Sequence, residues 1–172
     1  CRANKAFKRS AYYLYSMNKI ILVTGATSGF GKAIAEHFAA NGWDCIITGR
    51  RAEKLTALSE QLVLNYGVKV LPLVFDVQDR HAVFAALTTL PADWQQIDVL
   101  VNNAGLALGR DNFETASIDD WDNMIDTNVK GLLYVSKAVL PYFTARNKGH
   151  IINIGSTAAK EVYANGNVYC AT

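Results

Sequence analysis

Lys19-Ile20-Ile21-Leu22-Val23-Thr24-Gly25-Ala26-Thr27-Ser28-Gly29-Phe30-Gly31 begins as an apolar run and ends in a glycine-rich turn. A short apolar run that stops at glycine reads as a buried parallel strand. Residues from Phe30 to Ala40 then recur at helical spacing, with Ile34 and Phe38 on one face, and Asn41-Gly42 is a stop signal. Glycines between a first strand and a first helix allow a tight turn and close backbone approach to a pyrophosphate. The helix N-terminus adds free N–H groups and a positive dipole. Gly25, Thr27, Ser28, Gly29, Phe30 and Gly31 are therefore candidate cofactor-binding residues, at GxxxGxG rather than GxGxxG spacing. A glycine turn alone is also compatible with binding nothing; its place between strand and helix favours a phosphate loop.

Outward from this stretch the same alternation continues. Cys45 to Thr48 reads as a second strand, and Ala52 to Leu64 as a helix with Leu55, Leu58 and Leu62 on one face. Val68 to Phe75 is a third strand, Asp79 to Leu90 a helix ended by Pro91, and Ile97 to Val101 a fourth strand. Ile118 to Arg146 reads as one long helix, with Pro141 kinking or ending it, before a fifth strand at Ile151 to Ile154. Strand and helix in alternation predict an α/β fold: a Rossmann-type, doubly wound parallel sheet with helices on both faces, truncated after the fifth strand. One domain is expected over 17–172, incomplete at its C-terminus, with an apolar fifth strand left as an unpaired edge.

The bulk properties suit a soluble globular chain: 172 residues, 51% hydrophobic and 19% charged. The net charge of +2 is misleading. Residues 1–16 hold Arg2, Lys5, Lys8 and Arg9 and no acid, so the rest carries 13 basic against 15 acidic residues. A nucleic-acid surface is not supported, and no apolar run is long enough to span a bilayer. Residues 1–16 are expected to be a non-native or disordered leader ahead of Met17. Cys1, Cys45 and Cys170 lack CxxC spacing, and His37, His81 and His150 stand apart, so neither disulfides nor a metal site is expected and a cytoplasmic location is the default.

The end of the second strand selects the cofactor. Thr48-Gly49-Arg50-Arg51 places two arginines where an NAD enzyme usually has an acid for the ribose 2′-hydroxyl. Arg50 and Arg51 can instead clamp a 2′-phosphate with charge-assisted bonds, which predicts NADP(H). A solvated helix start is the alternative, although arginines there oppose the helix dipole. Asp76 and Val77 follow the third strand; Asp76 can bond an adenine amino group, cap the next helix, or do both.

Four further features follow in order: Asn102-Asn103-Ala104-Gly105 after the fourth strand, Asn128 inside the long helix, Ser156 after the fifth strand, and Tyr169 thirteen residues later. With the phosphate loop, they make the chain resemble the short-chain dehydrogenase/reductase family over Met17 to Thr172. The resemblance is nearest to the NADP-dependent 3-hydroxy acid dehydrogenases acting on serine and allo-threonine, notably in Leu100 to Gly109, Met124 to Asn128 and Gly149 to Ala158.

The resemblance implies that Tyr169 is the general acid/base and Ser156 hydrogen-bonds the reacting oxygen. It also implies that Asn128 interrupts its helix to hold a proton-relaying water, and that Asn102, Ala104 and Gly105 line the cofactor cleft. A locally bonded helix asparagine is the other reading of Asn128. The family's YxxxK motif is met only through Tyr169-Cys170-Ala171-Thr172, so the 172-residue fragment is expected to be inactive for want of the lysine. A small-molecule substrate and a homotetramer of the full-length protein are implied. The competing functions are reduction of another carbonyl, such as a 3-oxoacyl group, and a non-catalytic NADP-binding module. A hydrolase is disfavoured, because no GxSxG elbow exists.

Overall fold

The computed structural model describes residues 19–172; the leader expected at 1–16 lies outside the described residues. Five strands form one parallel sheet: β1 (Ile20–Val23), β2 (Asp44–Gly49), β3 (Val70–Val74), β4 (Ile97–Asn102) and β5 (His150–Asn153), in the order β3-β2-β1-β4-β5. The chain thus builds outward from β1 to β3, returns, and builds the other way through β4 and β5. Strand order reverses between β1 and β4, which opens a crevice beyond their carboxyl ends.

The helices are α1 (Gly29–Ala40), α2 (Ala52–Tyr66), α3 (Arg80–Thr88), α4 (Ile118–Met124), α5 (Leu132–Arg146) and the short α6 (Asn167–Ala171). Successive residues of β1 point to opposite faces, as pleating requires. Ile21 and Val23 join a cluster with Ala35 and Ala39 of α1 and Leu55, Leu58 and Leu62 of α2. Ile20 and Leu22 join the opposite cluster, with Val83 and Leu87 of α3 and Val135, Val139 and Phe143 of α5. Every β1 side chain is buried, hence the unbroken apolar run. The stop signal at Asn41-Gly42 acts as expected, Gly42 following α1 with φ of 78°, and Gly67 ends α2 in the same way with φ of 67°. Pro72 sits in β3, which among the described residues pairs only with β2 and so tolerates a missing donor.

Two expectations are corrected. The helix expected over 118–146 is three pieces, because a π-helical segment at Ile125–Gly131 separates α4 from α5. Pro141 does not end it: α5 runs on to Arg146 and stops at Asn147 in the left-handed region, φ 49°. Second, Asp76 does not cap the following helix. Asp79 does, its carboxylate accepting the backbone N–H of Ala82 at 3.0 Å. Asp76 instead turns back over its own loop, accepting from the N–H of Gln78 at 3.0 Å.

Candidate functional site

The crevice is a cleft of about 940 Å³ at the carboxyl edge of the sheet. It gathers nearly every residue singled out in the sequence: Gly25, Thr27, Ser28, Phe30, Arg50, Arg51, Asp76, Val77, Asn102, Ala104, Gly105, Asn128, Ser156 and Tyr169 all line it. Gly29 and Gly31 do not, and each has another reason to be glycine. Gly29 adopts φ 55° with open space around it, so its demand is conformational. Gly31 is a packing glycine, since a Cβ there would run into the Asn103 amide and the Gly25 carbonyl. Gly25 combines both: φ is 66°, and a Cβ would lie 2.9 Å from the Ala104 Cα.

These glycines bring the phosphate loop against the loop after β4, and two side chains lock them together. The Thr24 hydroxyl, 2% exposed, accepts from the backbone N–H groups of Asn103 and Ala104, both at 3.0 Å. The Asn103 amide donates to the Thr24 and Gly25 carbonyls at 2.9 and 3.3 Å. Sequence reading named neither residue as functional. A threonine ending an apolar strand and a second asparagine in Asn102-Asn103 were the available signals.

At the mouth of α1, Ser28 occupies the N-cap with extended backbone, and its side chain caps nothing. Its hydroxyl accepts from Arg51 Nη2 at 3.0 Å, while the Thr27 hydroxyl accepts from the same nitrogen at 2.6 Å. The first-turn N–H groups of α1 therefore keep their capacity for an anion. Arg50 takes the other side, pairing with Asp76 at 3.3 Å. Two exposed guanidinium groups thus border the cleft, Arg50 paired with the loop after β3 and Arg51 with the phosphate loop. Phe30 lies 77% exposed at the rim. Val77 is buried deeper and touches Gly131, where a Cβ would come within 2.7 Å of the valine methyl.

The far end of the cleft lies beyond β4 and β5. Asn102 is 4% exposed, and its amide donates to Ser136 and Asn153 at 2.9 Å each, tying β4 to α5 and β5. The Asn102 Oδ1 and the Thr48 hydroxyl are buried without a hydrogen-bond partner, in residues that border the cleft.

Asn128 sits in the π-helical segment, and its amide does not bond within the helix. Oδ1 accepts from the Leu106 N–H and Nδ2 donates to the Leu106 carbonyl, each at 2.9 Å, while Nδ2 also donates to the Thr172 hydroxyl at 2.9 Å. Both amide hydrogens are therefore used, and the side chain clamps the loop after β4. Helix-local bonding is excluded by the same contacts. Ser156 precedes a 3₁₀ turn at Thr157–Ala159, accepting from the Ala158 N–H at 3.2 Å. Tyr169 lies in α6, half-buried on the cleft wall. Cys170, which sequence reading left without a role, packs its sulfur against Gly166.

This arrangement matches known proteins closely. The short chain dehydrogenase family profile fits residues 19–172. The NADP-dependent 3-hydroxy acid dehydrogenase YdfG of Salmonella typhi is 56% identical over 153 residues, 89% of this chain and 60% of that protein. Sulfoacetaldehyde reductase 2 of Chromohalobacter salexigens is 46% identical over 157 residues, covering 91% and 62%. Among solved structures, serine dehydrogenase from Escherichia coli superposes with a TM-score of 0.83 at 53% identity, covering 88% of this chain and 68% of that one. The chain thus spans about 60% of the length of the curated relatives it matches. With the phosphate loop, the paired asparagines, and the serine and tyrosine on one cleft wall, the chain belongs to the short-chain dehydrogenase family.

Proposed function

We propose that this chain forms the NADP(H)-binding part, with the acid/base tyrosine, of an oxidoreductase acting on small 3-hydroxy acids or their 3-oxo forms. The supporting observation is the pairing of sites along one cleft: Arg50 and Arg51 after β2, Ser156 and Tyr169 after β5. Three strand spacings separate β2 from β5, about 14 Å, a span suited to an extended dinucleotide. The dinucleotide supplies the hydride acceptor or donor. The loop at Gly25–Gly31 and the N-terminus of α1 take the pyrophosphate, Arg50 and Arg51 the 2′-phosphate, and Asp76 the adenine edge. In oxidation, Tyr169 accepts the hydroxyl proton as hydride leaves the carbinol carbon, and Ser156 donates a hydrogen bond to the same oxygen. Asn128 holds Leu106, and with it the loop that walls the substrate end.

The 3-hydroxy acid class is supported by YdfG, and the related sulfoacetaldehyde reductase keeps reduction of another small acidic carbonyl as the second reading. Among the described residues no helix is long and apolar enough to cross a membrane. We place the enzyme in the cytoplasm, in keeping with the free thiols Cys45 and Cys170, and as a homotetramer, in keeping with Leu133 and Leu140 exposed on α5. In the enzyme that carries this chain, Tyr169→Phe is expected to abolish NADPH formation from a 3-hydroxy acid while NADP+ binding, followed by fluorescence, stays nearly unchanged. Robust turnover by Tyr169→Phe would overturn the tyrosine's role, and equal affinity for NADP+ and NAD+ would overturn the cofactor.

A further inference from the structure

Gly49 ends β2 immediately before the arginine pair, and its backbone lies outside the left-handed region. No conformational demand explains a glycine there. A Cβ at this position would come within 2.8 Å of the Thr27 methyl carbon, and its other near neighbours are Thr27 atoms too, at 3.7 and 3.8 Å. Thr27 is also the residue whose hydroxyl accepts from Arg51 at 2.6 Å, the shorter of that guanidinium's two bonds to the phosphate loop.

The methyl and hydroxyl of threonine share one carbon, and χ1 of a β-branched side chain has few allowed settings. Displacing the methyl therefore swings the hydroxyl away from Arg51. Arg50 is untouched by this, because its partner is Asp76 in the loop after β3.

We propose that Gly49 is a specificity-determining position: by leaving room for the Thr27 methyl it aims the Thr27 hydroxyl, which holds the Arg51 guanidinium ready for the 2′-phosphate of the coenzyme. The inference rests on the NADP(H) reading above. Its substance is pre-organisation, a charged group fixed in its binding position before the ligand arrives. Gly49 borders the cleft, but its missing Cβ acts through Thr27, and Thr27 through Arg51.

The test is titration of NADP+ and NAD+ against wild type and the variants Gly49→Ala, Thr27→Ser, Gly49→Ala/Thr27→Ser and Thr27→Val. Gly49→Ala is expected to weaken NADP+ binding by about tenfold, the loss of one charge-assisted bond, with NAD+ little changed. Thr27→Ser removes the obstructing methyl but keeps the hydroxyl, so the double variant should recover the NADP+ affinity of Thr27→Ser alone. Thr27→Val keeps Gly49 and a side chain of the same shape but lacks the hydroxyl; it should reproduce the selective loss even if Gly49→Ala folds poorly. Unchanged NADP+ binding in Gly49→Ala, equal losses for both coenzymes, or no recovery in the double variant would overturn the proposal while leaving the wild-type preference standing. A wild type without preference for NADP+ would remove the cofactor reading, and this inference with it.

Discussion

Thr24→Val replaces a hydroxyl by a methyl at nearly constant volume, in a site only 2% exposed. The hydroxyl accepts from the backbone N–H groups of Asn103 and Ala104 at 3.0 Å each, so the variant leaves two part-buried backbone donors beside the cleft without this acceptor. An unsatisfied buried donor costs about 1–3 kcal/mol. With partial relaxation of the loop after β4, the expected destabilisation is about 2–4 kcal/mol. At roughly 2–4 °C per kcal/mol for a domain of this size, the melting temperature should fall by about 4–16 °C. Urea unfolding followed by circular dichroism should give the same ranking at an unchanged m-value. Thr24→Ser retains the acceptor and loses one methyl, about 0.8 kcal/mol of burial, so it serves as the control. A loss below about 0.5 kcal/mol in Thr24→Val, the ordinary size of a neutral substitution, would refute the clamp.

Further outcomes are equally specific. Arg51→Ala should weaken NADP+ binding by roughly 10- to 100-fold and NAD+ far less, one charge-assisted bond pair being lost; equal losses in a fluorescence titration would contradict a 2′-phosphate role. Gly31→Ala should destabilise the protein by more than about 1 kcal/mol and impair coenzyme binding, because its Cβ meets the Gly25 carbonyl and the Asn103 amide; calorimetry showing an unchanged melting temperature would refute that packing. Burial, with the adjacent Asp44 carboxylate adding to it, pushes the Cys45 thiol up to about 12 from 9.0. The folded state therefore holds this proton more tightly than the unfolded chain, so the stabilisation is complete below pH 9 and lost as pH rises from there through about 12. In a Cys1→Ser/Cys170→Ser background, Cys45 should resist a disulfide reagent at pH 9; labelling at the rate of an exposed thiol would contradict its burial.

The central strands β1, β2 and β4 were legible because they bury both faces, and α1, α2, α3 and α5 because each buries one, which leaves runs and periods in the sequence. The site was legible where a residue faces the cleft. Arg50, Arg51, Ser156 and Tyr169 all line it. What stayed hidden were partners brought together by the sheet. Thr24 and Asn103 meet across 79 residues, Asn102 and Asn153 across 51, and Gly49 is explained only by Thr27 on the neighbouring loop. Sequence spacing carries no trace of such pairings. Asp76 and Asp79 illustrate the same limit at short range. Both stand ahead of α3, and only the turn geometry assigns the cap to Asp79 and the ion pair with Arg50 to Asp76.

The π-helical segment bears on insertions and deletions. One wide turn takes up about one residue more than an α turn of similar rise. Removing a residue from 125–131 would leave an unbroken α-helix from Ile118 onward, with its hydrogen-bond ladder intact, so local stability would not oppose the deletion. Because the wide turn and the α turn that replaces it make nearly the same rotation, Val135, Val139 and Phe143 would keep their face toward α3, while side chains within 125–131 would lose their places, Asn128 and its clamp on Leu106 among them. A single-residue gap here is therefore tolerated by the core and felt at the cleft, so length at 125–131 bears on the site rather than on the fold.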